Sequence, residues 1–272
     1  MPNKRRQTVC ASLAAAPFHV MVNKMNIKII DPLTPWKLPR EEGAETFPSY
    51  VKSKLEWQSL LEKAQSGDAE AQWEIADGYE HGYKDELGNV VVEESLKKAA
   101  EWFRKAADAG HASAQNNLGV MLSQGDGVVK NPKLAIEWLK RAYKGGESCA
   151  ANNVAITYRE NGNFRRAIHW FKKSADSGDD ESLLQLGIHY YWGKGVRKNH
   201  QKAFDLYQKV VKSKGICEAT RDDANFYLAL AYIEGKGIAK SVATAKRLLR
   251  QANRDSDHPA ARKLLQEMKS KP

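Results

Sequence analysis

The stretch Ala112–Gly146, ASAQNNLGVMLSQGDGVVKNPKLAIEWLKRAYKGG, holds two apolar patterns of helical period with a glycine-bearing turn between them. In each half the apolar residues recur at spacings of three and four, which places them on one face of a helix. They are Ala114, Leu118, Met121 and Leu122 in the first half, and Leu134, Ala135, Trp138, Leu139 and Ala142 in the second. The stretch therefore predicts a pair of packed helices.

Glycine and proline mark the ends of both predicted helices. Gly125 and Gly127 can adopt the left-handed conformation that ends a helix. Asn131 and Pro132 supply an N-cap and a first-turn proline for the next one. Gly119 lies inside the first helix, where glycine costs about 1 kcal/mol relative to alanine. We therefore expect a second helix to approach it closely.

The same unit recurs along the chain, with Leu118 and Trp138 as the anchors of its helices A and B. From a B anchor to the next A anchor the step is 16 residues three times and then 22, a regularity that predicts a tandem repeat array. The A anchors are Ile75, Leu118, Val154, Leu186 and Leu228, and the B anchors are Trp102, Trp138, Trp170, Leu206 and Leu248. A small residue precedes each anchor at a fixed distance, which allows neighbouring helices to approach closely.

These residues resemble the Sel-one-like repeat, a relative of the tetratricopeptide repeat. The likeness covers roughly Leu60 to Met268, although the third repeat has Asn161-Gly162-Asn163 where the family has Gly-x-Gly. The closest agreement with the family pattern is at Leu186, Gly187, Tyr190, Gly193, Gly195 and Val196. The resemblance implies an all-α fold, an α/α solenoid wound as a right-handed superhelix. It also implies a protein–protein interaction scaffold or adaptor rather than an enzyme.

The chain divides into an N-terminal extension, residues 1–49, and a helical repeat domain, residues 50–270. We expect the extension to be largely irregular. The repeat domain would comprise a cap helix at 50–65, repeats at about 67–110, 111–146, 147–178, 179–216 and 217–256, and a half repeat at 257–270. Insertions near 84–92 and 213–221 lengthen the first and fourth repeats. Such loops can carry specificity, or they can reflect drift at the surface.

The first 24 residues allow two interpretations. Lys4, Arg5 and Arg6 precede a short apolar run, so residues 1–16 have the parts of a signal peptide. The run is only about eight residues long, and Met25 could start the chain, so that 1–24 would be a mis-assigned start segment. The three cysteines, Cys10, Cys149 and Cys217, have no repeated spacing and favour a reducing compartment. We expect a cytoplasmic protein, with export as the alternative.

The formal net charge of +10 is concentrated at the two ends of the chain. Residues 1–60 carry a net +4 and residues 240–272 a net +6, whereas the middle is neutral. Nucleic acid is therefore not expected as a partner of the repeats, although nucleic-acid or membrane-surface binding through the basic termini stays open. No run of 18 apolar residues predicts a membrane span.

The sequence offers no recognisable chemistry. Gly-x-Gly recurs at the turn position of the repeat and lacks a following Lys-Ser or Lys-Thr, and the seven histidines show no metal-ligand spacing. Groups of carboxylates such as Asp179-Asp180-Glu181 and Asp222-Asp223 lie at predicted helix starts, where they complement the helix dipole. We expect no catalytic residues, metal or cofactor. Some cysteine-rich relatives resemble penicillin-binding or β-lactamase-like proteins, so a hydrolase-like activity is the alternative.

The family resemblance places helix A on the concave side of the array. Residues one and two positions before each A anchor would then face a partner protein or an extended peptide. These candidates are Trp73, Asn116, Asn117, Asn152, Asn153, Leu184, Gln185, Phe226 and Tyr227. Asn117, Asn153 and Gln185 would form a row of amides that offer both a donor and an acceptor to a peptide backbone. Alternatively, such amides pair with a neighbouring loop.

Overall fold

A computed structural model describes residues 20–23, 26–29, 54–85, 88–254 and 258–269. Within the predicted extension it describes two strands, β1 (Val20–Asn23) and β2 (Asn26–Ile29), which pair antiparallel with Val20 opposite Ile29. The predicted segment at 1–16 lies outside the described residues. The chain divides into two compact units, which we call the first block (residues 40–170) and the second block (residues 171–272 with residues 1–39).

The regular elements among the described residues of the first block are helices and one hairpin. The helices are α1 (Lys54–Gln65), α2 (Ala69–His81), α3 (Leu96–Asp108), α4 (Ala112–Gln124), α5 (Pro132–Lys144), α6 (Ala150–Glu160) and the first half of α7 (Phe164–Asp176). The hairpin consists of β3 (Tyr83–Lys84) and β4 (Val90–Val92). The A helix α2 packs on the B helix α3 that follows it, and α4 packs on α5 in the same way.

The second block continues with α8 (Asp180–Trp192), α9 (His200–Lys212), α10 (Glu218–Glu234), α11 (Val242–Ala252) and α12 (Pro259–Lys269). Again α8 packs on α9 and α10 on α11. The insertion near 213–221 does not remain a loop throughout, because α10 begins at Glu218 and is 17 residues long. Tyr207 and Tyr227 stack inside this block with ring centroids 5.1 Å apart.

The local signals read from Ala112–Gly146 are confirmed. Asn131 caps α5 by accepting a hydrogen bond from the Leu134 amide at 3.1 Å, and Gly125 ends α4 in the left-handed region with φ of 90°. A Cβ added at Gly119 would lie 2.6 Å from Cγ of Leu139. The mid-helix glycine therefore permits the close approach of α4 and α5.

The core of the first block is built from the predicted apolar positions. Ile75, Leu118 and Leu139 are fully buried, and Trp138 is 5% exposed. The insertion at 84–92 also contributes to this core. Val92 is 5% exposed and packs in a cluster with Trp57 of α1. The hairpin is therefore anchored in the core of the first repeat rather than being only a surface loop.

Candidate interaction surfaces

The structure buries most of the residues predicted to contact a partner. In the second block Leu184 and Phe226 are 0% exposed, Tyr227 1% and Gln185 3%. In the first block Asn152 and Asn153 are 8% and 7% exposed. Only Trp73, Asn116 and Asn117 keep half-buried side chains. A partner could reach these three without a rearrangement of the helices, and partner contact by all nine stays a prediction.

The predicted amide row is used for contacts inside each block. Asn153 donates from Nδ2 to Oδ1 of Asn116 at 2.9 Å, and Asn116 in turn points its Nδ2 at Oδ1 of Asn117 at 3.4 Å. Gln185 donates from Nε2 to Oε1 of Glu181 at 2.8 Å. In these hydrogen bonds the partners of the amides are side chains of helices.

Trp73 has a specific structural partner that its position in the repeat did not reveal. Its ring stacks on His111 with centroids 5.7 Å apart and an interplanar angle of 14°. His111 caps α4, because its Nδ1 accepts a hydrogen bond from the Ala114 amide at 3.1 Å. The proton must then be on Nε2, which donates to Oε2 of Glu70 at 3.0 Å. The carboxylate, the tryptophan and the histidine together join α2 to the start of α4.

The second block repeats this arrangement near its C-terminal end. His258 accepts from the Ala261 amide at 3.1 Å and donates from Nε2 to Oδ1 of Asp223 at 3.1 Å. Phe226 lies beside the imidazole with centroids 4.9 Å apart. Sequence reasoning missed both histidines as site components. A signal was present, since a carboxylate, an aromatic residue three later and a histidine just before the next A helix occur in both places.

The carboxylates at helix starts do not all act as exposed complements of the helix dipole. Asp179 does cap α8, but Glu181 is 8% exposed and also accepts a hydrogen bond from Oγ1 of Thr220 at 3.2 Å. Desolvation by burial raises the pKa of Glu181 to about 7, and the nearby carboxylate of Asp223 adds to the rise. Glu181 thus lies in the first turn of α8, as predicted, but its side chain is inside the block. The prediction for Asp222 and Asp223 is wrong, because α10 already begins at Glu218 and both residues lie beyond its first turn.

The A-helix side of the first block is acidic at α2. Four carboxylates lie on this helix, which contains no lysine or arginine: Glu70, Glu74, Asp77 and Glu80. Burial raises the pKa of Asp77, and the nearby His81 lowers it by a smaller amount. Burial likewise raises the pKa of Glu160 at the end of α6, against the opposing effect of Arg159. Carboxylates of this kind are stabilised when a cation approaches them.

One group of possible metal ligands occurs among the described residues. Asp77, Glu80 and His81 place one ligand atom each within 4.8 Å of one another at the end of α2. None of the helices in the described part of the chain is long and apolar enough to span a bilayer.

Comparison with known proteins agrees with this geometry. The sequence model of the Sel1 repeat family matches residues 69–111, 112–147, 150–179, 180–210 and 222–257. The chain belongs to the Sel1 repeat family. The expected resemblance is thereby confirmed, and so is the α/α solenoid as fold class. Proteins of this family are typically non-catalytic interaction scaffolds.

Two curated relatives and one solved structure are similar to the chain. The DAP3-binding cell death enhancer 1 proteins of Rattus norvegicus and Mus musculus are 34% and 35% identical over 173 residues, or 61% of the chain. The similarity spans 32% of the length of each relative. The crystal structure of a Sel1 repeat protein from Oxalobacter formigenes is 26% identical, covers 75% of this chain and 78% of that one, and superposes with a TM-score of 0.59.

Proposed function

We propose that this Sel1 repeat protein is a scaffold that binds an extended, basic segment of a partner protein along the A helices of its first block. The observation that carries the proposal is the charge of α2, which has four carboxylates and no lysine or arginine. Trp73 on the same helix and Asn116 on α4, the next A helix, offer a half-buried aromatic ring and a half-buried amide. Together they match a segment that has cationic side chains and an accessible backbone.

The electrostatics of Asp77 support a cationic partner. The pKa of this carboxyl is raised because burial strips water from it, and His81 offsets that effect only in part. A lysine or arginine of a bound segment would favour the ionised form and so gain binding energy. The names of the relatives support a protein as the partner, since the rat and mouse proteins are named for binding DAP3. DAP3 is therefore one partner protein to test.

The experiment measures peptide binding to the full chain and to charge variants. Fluorescent 15-residue peptides that contain zero, three or six lysines on a common background would be titrated against the wild type. A first variant carries Glu74→Gln, Asp77→Asn and Glu80→Gln. A matched control removes three exposed carboxylates from B helices of the same block: Glu101→Gln, Asp108→Asn and Glu137→Gln. Binding of DAP3 would be measured with the same wild type, α2 variant and control variant.

We expect affinity for the wild type to rise with the number of lysines and to fall at least about 10-fold in the α2 variant, which corresponds to about 0.5 kcal/mol for each lost charge pair. The control should bind like the wild type. Equal losses in both variants would mean that only net charge matters and would reject the α2 site. Binding of DAP3 that no α2 substitution weakens would place the protein partner on another surface.

A further inference from the structure

The charged side chains that the B helices of the first block expose are mostly basic. On α3, α5 and residues 164–170 of α7, nine exposed cations stand against three exposed carboxylates. The cations are Lys97, Lys98, Arg104, Lys105, Lys133, Arg141, Lys144, Arg165 and Arg166, and we call them the basic face. In the same block α2, α4 and α6 contain five carboxylates and one arginine. The net charge of the middle of the chain is zero, so it does not reveal that the A helices carry mostly negative and the B helices mostly positive charges.

Two contacts join the neighbouring B helices that carry the basic face. Gly127, in the loop that leads into α5, lies directly against the backbone carbonyl of Leu96 at the start of α3. Farther along, the rings of Tyr143 on α5 and Trp170 on α7 meet edge to face with centroids 5.5 Å apart. The cations therefore lie on adjoining helices rather than on scattered parts of the block.

Five of the nine cations lie at positions that do not favour helix stability. Lys97 and Lys98 lie in the first turn of α3, Lys133 in that of α5, and Arg165 and Arg166 in that of α7. None of these first turns contains an acidic residue. The positive end of the helix dipole disfavours a cation there. Helix stability therefore does not explain these five cations.

Some members of the basic face have a sufficient structural explanation. Lys105 lies 3.7 Å from the ring centroid of Trp102, and Arg141 lies 4.6 Å from that of Trp138. Both of these cations also follow a glutamate by four residues, the spacing that favours a pair on a helix surface. Another subset makes no ion pair with any described residue: Lys97, Arg104, Lys133, Lys144 and Arg165.

The chemistry of the face decides the kind of partner. On the described residues of these helices no large apolar side chain is exposed, since the exposed ones are Leu55, Val90, Val129 and Val242. Protein hot spots and membrane insertion both need apolar anchors. Lys105 and Arg141 lie over the rings of Trp102 and Trp138, so these two rings do not present a stacking platform. We propose that the basic face binds nucleic acid through its phosphate backbone, without reading the base sequence.

A salt titration of RNA binding tests this proposal. Binding of a fluorescein-labelled 30-nucleotide oligouridine to the full chain would be followed by anisotropy from 50 to 200 mM salt. The test variant carries Lys97→Gln, Arg104→Gln, Lys133→Gln, Lys144→Gln and Arg165→Gln. A control of equal net charge carries Lys172→Gln, Lys209→Gln, Lys212→Gln, Arg247→Gln and Arg250→Gln, all in the second block. Circular dichroism would verify that both variants are folded.

With about five phosphate contacts, we expect a slope of log affinity against log salt of about −3.5. The affinity should then fall about 100-fold between 50 and 200 mM salt. The test variant should bind at least about 100-fold more weakly at low salt, and the control should keep the wild-type slope. Absence of RNA binding by the wild type, or equal losses in both variants, overturns the proposal. Anionic phospholipid vesicles form a second arm, and binding to vesicles without binding to RNA overturns it as well.

Discussion

Asn153 on α6 donates a hydrogen bond from Nδ2 to Oδ1 of Asn116 on α4, one repeat earlier, at a distance of 2.9 Å. Asn153 is 7% exposed, whereas Asn116 is half-buried. Both were predicted to contact a partner, and the structure uses one amide to orient the other. Asn116 can still accept or donate toward solvent, while Asn153 is occupied. Of the two residues, Asn116 is therefore the one that a partner could contact, and Asn153 is the one that holds Asn116 in place.

Replacement of Asn153 by alanine should therefore destabilise the fold. The change leaves Oδ1 of Asn116 without its donor, which we expect to lower the free energy of unfolding by about 1–2 kcal/mol. Asn117→Ala is the matched control, because Asn117 is half-buried and its contact with Asn116 is long at 3.4 Å. Urea unfolding of the two variants measures the difference. Unchanged stability of Asn153→Ala would remove the structural role assigned to this amide.

The close approach at Gly119 leads to a second prediction. A Cβ at this position would lie 2.6 Å from Cγ of Leu139 and 3.2 Å from the backbone oxygen of Ala135. Gly119→Ala should therefore cost about 1–3 kcal/mol of stability despite the better helix propensity of alanine. Leu139→Ala provides room, so the double variant should lose less than the sum of the single losses. Strictly additive losses in thermal or urea unfolding would show that the two residues do not compete for space.

The sequence predicted the repeat lattice because that lattice depends on local signals. Anchors such as Leu118 and Trp138 have helical period, and Gly125 and Asn131 have conformational preferences that act within one turn. The candidate site depended instead on which side chains of adjacent repeats meet. Spacing alone did not show that Gln185 would turn to Glu181, nor that Trp73 would stack on His111. Counting charges along the chain also did not show that negative charges lie on the A helices and positive charges on the B helices of the first block.

The hairpin in the first repeat provides a third prediction. Val92 is 5% exposed in the cluster with Trp57, whereas Val90, on the same strand, is 48% exposed. Val92→Ala removes two buried methyl groups and should lower the free energy of unfolding by about 2 kcal/mol. Val90→Ala should change it by less than about 0.5 kcal/mol. Similar stabilities of the two variants would mean that the hairpin contributes little to the core of the first block.

The buried carboxyl of Glu181 makes the stability of the second block depend on pH. Its pKa in the folded protein is about 7, above the ordinary value of 4.5, because burial disfavours the charged form. Between these two values the folded state binds more protons than the unfolded state. Stability should therefore fall as the pH rises from 4.5 to 7 and stay at the lower level above 7. The difference of 2.5 in pKa corresponds to at most about 3 kcal/mol.

Glu181→Gln removes this titration and keeps the size of the side chain. Its free energy of unfolding relative to the wild type should increase by up to about 3 kcal/mol between pH 4 and pH 8, since only the wild type then buries a charge. Urea unfolding across this range measures the difference. The control is Glu218→Gln, because Glu218 is exposed in the first turn of α10, and its difference from the wild type should change little between these pH values. If the difference between Glu181→Gln and the wild type did not change with pH, burial would not be raising the pKa of this carboxyl.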